Sequence, residues 1–177
     1  IGIKEVLESL NISNTRIFLT KCYGLSLSDQ YWIRPVDRED LHWKDINFFD
    51  HSFSEIFGDV LLGKDINKDE FIFNSPDITT EGCLKKRWKI IDGKRCLVKT
   101  GIAPFMLEPF NEVIATVIME KLNIPHIPYR LILDDEIPYS VCEDFITSDT
   151  EFVSAQRIML TAKQDSNTSL YRMYINC

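Results

Sequence analysis

The dipeptide Asp92-Gly93 fixes more of this chain than any other two residues. It supplies the two positive φ angles of a type I′ turn, and its flanks, WKII and KRCLVK, are rich in β-forming side chains. The spacing therefore predicts a β-hairpin. Counting outward from the turn, Ile91 faces Lys94, Ile90 faces Arg95, Trp88 faces Leu97 and Lys86 faces Lys99. Side chains alternate across a strand, so Trp88, Leu97 and Lys99 share one face. A cationic side chain ending an otherwise apolar face needs a solvated exit, a carboxylate or an anionic ligand. A helix follows, opened by Glu108-Pro109 with proline in its first turn, and Glu112, one turn further on, is the candidate carboxylate for the lysine.

Along PFNEVIATVIMEKLN, Phe110, Val113, Ile114, Val117 and Ile118 fall on one side; Ala115, Thr116 and Met119 accompany Glu112 on the other. A helix apolar on both sides is expected to be sandwiched, with Glu112 turned into the domain. Two further strands, 128–133 and 138–143, are predicted around the turn Asp134-Asp135-Glu136-Ile137. The fold class is α+β: an antiparallel sheet of four or more strands with an inserted helix, preceded by a mainly helical N-terminal part.

In that N-terminal part, Ile3, Val6, Leu7 and Leu10 form one helical stripe, and a second short helix through Ile17, Phe18 and Lys21 ends at Gly24. Tyr31-Trp32-Ile33 before Pro35 reads as a short extended piece, and residues 36 to 52 as an irregular segment pinned by aromatic side chains. Ser52 or Ser54 caps a helix that buries Phe53, Ile56, Phe57, Val60 and Leu61. The charged run KDINKDEF is the natural boundary. It separates residues 1–65, helical or irregular, from the mainly β residues 66–150; residues 151–177 begin further helices. Both ends read as cut, since the chain starts without methionine and stops inside an apolar stripe at 170, 173, 174 and 177.

A net charge of -7 disfavours a sequence-independent grip on nucleic acid. The cluster Lys85, Lys86, Arg87, Lys89, Lys94, Arg95 and Lys99 runs against that average; it suits a phosphate ligand and is also what a solvated strand pair carries. No apolar run approaches the roughly 18 residues of a membrane helix, and the charged N-terminus is not a signal peptide, so a cytoplasmic protein is expected. The five cysteines lack the paired spacing of a zinc site, and the three histidines are scattered.

Strand, strand ending in lysine, helix with a glutamate, then two strands ending in an acidic pair: this order resembles the small lobe of a protein kinase. There the lysine binds the α/β-phosphates of ATP and is held by the helix glutamate. Lys99 in CLVKTG and Glu112 in PFNEVIA stand at those places. The resemblance implies that Leu97 roofs the adenine with Trp88 across from it, and that Glu143, Asp144 and Phe145 in YSVCEDFI form the hinge. More narrowly, LSLSDQYWIRP, LKKRWKIIDGKRCLVK, PFNEVIA and YSVCEDFI resemble the HipA-like bacterial serine/threonine kinases, the family named after the toxin of a toxin–antitoxin pair, over about residues 25 to 160. The family implies ATP, magnesium, a protein substrate and an antitoxin-like regulator as partners.

The sequence departs from the family's pattern at two points. It has no G-x-G-x-x-G; the phosphate loop would be SPDITTEG, with Thr79, Thr80 and Gly82 as contacts. It also has no HRD-like catalytic loop and no DFG-like magnesium aspartate, which belong to the large lobe. Phosphoryl transfer needs those groups in addition to the lysine, so no catalytic residue is assigned and the chain is not expected to be catalytic by itself. The alternative is a non-catalytic protein-interaction module on a kinase-like scaffold.

Overall fold

The computed structural model describes residues 19–62, 73–80, 84–161 and 169–175. The helical stripe at residues 3–10, most of the second helix, the boundary run 64–71 and Gly82 lie outside them. In chain order the elements are α1 (Trp43–Ile46), α2 (Ile56–Leu61), a 3-10 helix (Pro76–Thr79), β1 (Lys86–Ile91), β2 (Lys94–Thr100), α3 (Glu108–Lys121), β3 (Arg130–Asp134), β4 (Ile137–Glu143), α4 (Ala155–Thr161) and α5 (Leu170–Ile175). The fold is α+β, with a four-stranded antiparallel sheet in the order β1-β2-β4-β3.

The hairpin has the predicted register: Trp88 pairs with Leu97 and Lys86 with Lys99, and Asp92 and Gly93 take φ angles of 52° and 76°. The second hairpin turns at Asp135 and Glu136, at φ 50° and 63°, and its first strand begins two residues later than expected. Insertion of α3 between the hairpins lets β4 pair with β2, leaving β3 at an edge. On one sheet face lie Trp88, Leu97, Lys99, Ser140 and Cys142; on the other, Val98 and Val141 form a buried cluster with Cys96 and Tyr139.

The other edge strand, β1, has unpaired amides, and exposed edges of this kind invite intermolecular pairing. Two carboxylates occupy it. The Trp88 N–H donates to Asp77 Oδ1 at 2.5 Å, and the Ile90 N–H donates to Glu55 Oε1 at 2.9 Å. Arg87, buried against the same strip, pairs with Asp59 on α2. The segment before the sheet also shares its core, because Leu25, Leu27, Phe48 and Phe53 cluster with Trp88.

Three expectations need correction. The described part of the N-terminal segment is mostly irregular rather than mainly helical: 19–21, α1 and α2 are short helical pieces. Aromatic contacts pin it, as expected for residues 36–52, with Trp43 and Phe49 rings 6.0 Å apart and Phe48 edge-on to Phe53 at 5.8 Å. Phe53 is buried ahead of α2 rather than within it. Finally, α3 is covered on one side only among the described residues. Glu112 and Thr116 face the sheet, whereas Ile114 and Ile118 are 56% and 51% exposed. Apolar residues on two sides of a helix do not reveal which side the fold covers.

Candidate functional site

The lysine at the end of β2 is paired as its isolation on an apolar face requires. Lys99 Nζ donates to Glu112 Oε1 at 2.9 Å and to the Tyr129 hydroxyl at 2.7 Å, and it lies 4.5 Å from the Tyr129 ring centroid. Glu112 also accepts the Ser140 hydroxyl. Burial works to lower the Lys99 pKa, but the bonds to Tyr129 and Glu112 outweigh it and the net shift is upward. The ammonium therefore stays charged at neutral pH. Tyr129 also moves upward, to about 12, chiefly through burial. Thr116 locks the arrangement by accepting the Tyr129 N–H and donating to the Glu112 carbonyl, each at 3.0 Å.

Beside this pair is a cavity of about 490 Å³, within the range of small-molecule sites. Trp88, Leu97, Lys99, Glu143, Asp144, Phe145, Thr79 and Thr80 all line it, and Glu112 reaches it through Lys99. Gly82 lies outside the described residues. One cavity thus gathers the described residues singled out from sequence, from positions 79 to 145.

Their contacts refine the individual roles. Trp88 is also part of the hydrophobic core. Thr79 Oγ1 donates to the Leu25 carbonyl at 3.0 Å and Thr80 Oγ1 to the Pro76 carbonyl at 3.0 Å. A hydroxyl has one proton to give, so neither donates to a ligand in this arrangement. The stretch read as a loop is a 3-10 helix at residues 76–79, with Ser75 accepting the Asp77 N–H at its start. At the far end of the cavity the Asp144 N–H donates to the Arg95 carbonyl at 2.8 Å. Backbone groups alternate along extended chain, so those of Glu143 and Phe145 turn away from β2. The Glu143 side chain forms an exposed pair with Lys94, and the Phe145 ring meets Phe152 edge-on at 6.0 Å.

The basic hairpin does not make one positive patch. Lys86 and Lys99 line the cavity, Arg87 and Lys89 line a groove on the opposite face, and Arg95 donates to the Phe48 and His51 carbonyls.

Sequence reasoning missed Tyr129, Ser140 and the wall formed by Ser26 to Asp29. That wall is joined to its neighbours by the Thr79 bond to Leu25 and by the Phe152 N–H donating to the Ser28 carbonyl at 2.7 Å. Nothing local marks these residues; only the register of β4 would have placed Ser140 opposite Lys99.

Two carboxyls near the cavity are displaced toward neutrality. Asp77 rises from 3.8 to about 7 and Asp144 from 3.8 to about 6, each mainly through burial; the Trp88 and Ile146 amides respectively pull them back. A carboxyl with a raised folded-state pKa makes the folded state bind more protons than the unfolded state. Its contribution is full below about pH 4 and is lost as pH rises toward 6 or 7. Denaturant midpoints should therefore fall between pH 5 and pH 8 in wild type, and the fall should be smaller in Asp144→Asn.

Among the described residues no group of three His, Cys, Asp or Glu side chains is placed to hold a metal ion, and no helix is long and apolar enough to cross a membrane. No protein-family model, curated protein or solved structure matches this chain.

Proposed function

We propose that the chain is the ATP-binding small-lobe part of a HipA-like protein serine/threonine kinase, with residues 19–62 bracing the nucleotide site. The observation that carries this reading is the charged Lys99–Glu112 pair at one end of a cavity whose other end is the Glu143–Phe145 edge. The cavity suits a nucleotide in size, in its apolar walls at Leu97 and Ile127, and in having a fixed cation for phosphate oxygens. Lys99 would hold the phosphates, Glu112 and Tyr129 would orient Lys99, and the backbone of Glu143 and Phe145 would meet the adenine edge. Magnesium would arrive with the phosphates, neutralising their charge. Phosphoryl transfer, the protein substrate and any antitoxin-like regulator belong to this proposal as expectations of the family resemblance.

Calorimetric titration of ATP with magnesium should give saturable binding of one nucleotide per chain. Absence of binding at millimolar nucleotide would count against the reading.

A second reading, a non-catalytic interaction module, is favoured by the apolar row Phe110, Ile114, Val117 and Ile118 exposed on α3. It predicts association with another protein without nucleotide binding, so the same titration separates the two.

A further inference from the structure

The two edges of the sheet differ. On β1 the outward amides of Trp88 and Ile90 are taken by Asp77 and Glu55. On β3 no described residue plays that part. Asp134 and Ile137 close the tight turn at Asp135-Glu136 and form the first hydrogen-bonded pair of the hairpin, and the bonding alternates from there. Ile132 with Tyr139 and Arg130 with Val141 therefore exchange bonds, whereas Leu131 and Leu133 do not. Pro138, opposite Leu133, fits this alternation: it has no N–H, and its carbonyl accepts the Thr100 hydroxyl on the β2 side at 3.4 Å. The backbone groups of Leu131 and Leu133 thus point out of the sheet, and among the described residues none bonds to them. Their side chains, 37% and 68% exposed, lie on the face that α3 covers, with Leu131 opposite Ser140. Along the strand the residues run Arg130, Leu131, Ile132, Leu133, Asp134, apolar and symmetric about Ile132 with opposite charges at the ends.

We propose that two copies of this chain associate through β3, its free edge pairing antiparallel with β3 of the second copy in the register that sets Ile132 against Ile132 and joins the two sheets into one. In that register Leu131 of each copy faces Leu133 of the other. These are the residues whose backbone groups point outward, so each such pair exchanges both bonds. Arg130 faces Asp134 at both ends, an opposite-charge cross-strand pair. Parallel pairing in register would set Arg130 beside Arg130 and Asp134 beside Asp134. The contact is isologous and closes on a two-fold axis through Ile132, perpendicular to the sheet. That axis puts both α3 helices on the same side of the joined sheet, where the exposed Ile114, Val117 and Ile118 add apolar surface to Leu131 and Leu133. A strand of another protein would make the same backbone bonds; charge matched at both ends is what a copy of β3 supplies. The residues of β3 do not line the cavity beside Lys99, so the contact stands apart from the nucleotide reading.

Sedimentation velocity over a micromolar concentration series should show wild type in reversible monomer–dimer exchange. Leu133→Pro deletes an outward N–H that β4 does not use, at an edge position where proline is tolerated, and should weaken dimerisation by about tenfold to a hundredfold. Arg130→Asp sets like charges together at both ends and should weaken it by about tenfold; adding Asp134→Arg to that variant should restore it. The charge-exchange pair keeps the test decisive if Leu133→Pro does not fold. The register has its own readout. Opposed residues at a non-bonded position stand about 4.5 Å apart between Cα atoms, within disulfide reach, so Ile132→Cys should cross-link two chains under mild oxidation beyond the wild-type level. A wild type that stays monomeric throughout, including one that takes up only strand peptides of other sequence, would overturn the proposal. So would a dimer indifferent to Leu133→Pro and to Arg130→Asp, or a double variant no better than Arg130→Asp alone.

Discussion

Lys99→Ala is expected to weaken ATP–magnesium binding by about tenfold to a hundredfold, the equivalent of one hydrogen-bonded charge at about 1.5–3 kcal/mol. The wild-type lysine is already charged, held by two partners at 2.9 and 2.7 Å and partly shielded from water. Its cost of ordering is met before a ligand arrives, so most of its attraction for phosphate appears as affinity. Removing it leaves the Glu112 carboxylate half-buried, bonded to Ser140 but without its cation, and aims negative charge toward the phosphates. Glu112→Gln separates the two effects. It keeps the helix packing and frees the ammonium from its orienting partner, so it should weaken binding less than Lys99→Ala. Unchanged affinity in Lys99→Ala would mean that Lys99 is only a structural ion-pair member.

Gly58→Ala is expected to destabilise the protein, opposite to the usual effect of this substitution within a helix. Helix propensity alone would gain about 1 kcal/mol. The new Cβ would lie 2.5 Å from Asp77 Oδ2 and 2.6 Å from Arg87 Cβ, and Cβ of Arg87 is fixed by the β1 backbone rather than the free end of a side chain. Overpacking of this kind costs about 1–3 kcal/mol and occasionally more. Here it also disturbs the carboxylate that accepts the Trp88 N–H and the arginine paired with Asp59. We expect a net loss of about 2 kcal/mol, equivalent to a fall of roughly 4–8 °C in Tm for a chain of this size. A Tm equal to or above wild type would show that α2 does not press on the Asp77–Arg87 strip.

The parts of the fold legible in the sequence are those decided by neighbouring residues. Asp92-Gly93 sets a turn and the turn sets a register, so the face shared by Trp88, Leu97 and Lys99 follows by counting. Glu112 was legible as a candidate partner for a lysine on such a face; Glu108 opens the same helix, and the packing of α3 makes Glu112 the partner while Glu108 accepts the Ile102 N–H. The edge of β1 was not legible. Glu55 and Asp77 lie 35 and 11 residues before the amides they accept, and no spacing rule connects an acid in an irregular segment to a strand edge. The wall at Ser26 to Asp29 was hidden for the same reason, since its neighbours are Thr79 and Phe152. Tyr129 reads as one more aromatic residue within the predicted strand 128–133; its role depends on how α3 crosses the sheet. The stretch 36–52 gave the right character but not α1, a four-residue helix too short for a hydrophobic period to register.

In the proposed function the hairpin, α3 and the end of β4 together enclose a nucleotide. Backbone amide shifts recorded while ATP with magnesium is titrated into the chain test this residue by residue. The predicted result is saturable shifts at Leu97, Lys99, Cys142, Phe145 and the 26–29 wall, with the groove residues Lys89, Arg130 and Ile132 on the opposite sheet face unaffected. Shifts concentrated on that opposite groove, or none at saturating nucleotide, would contradict it.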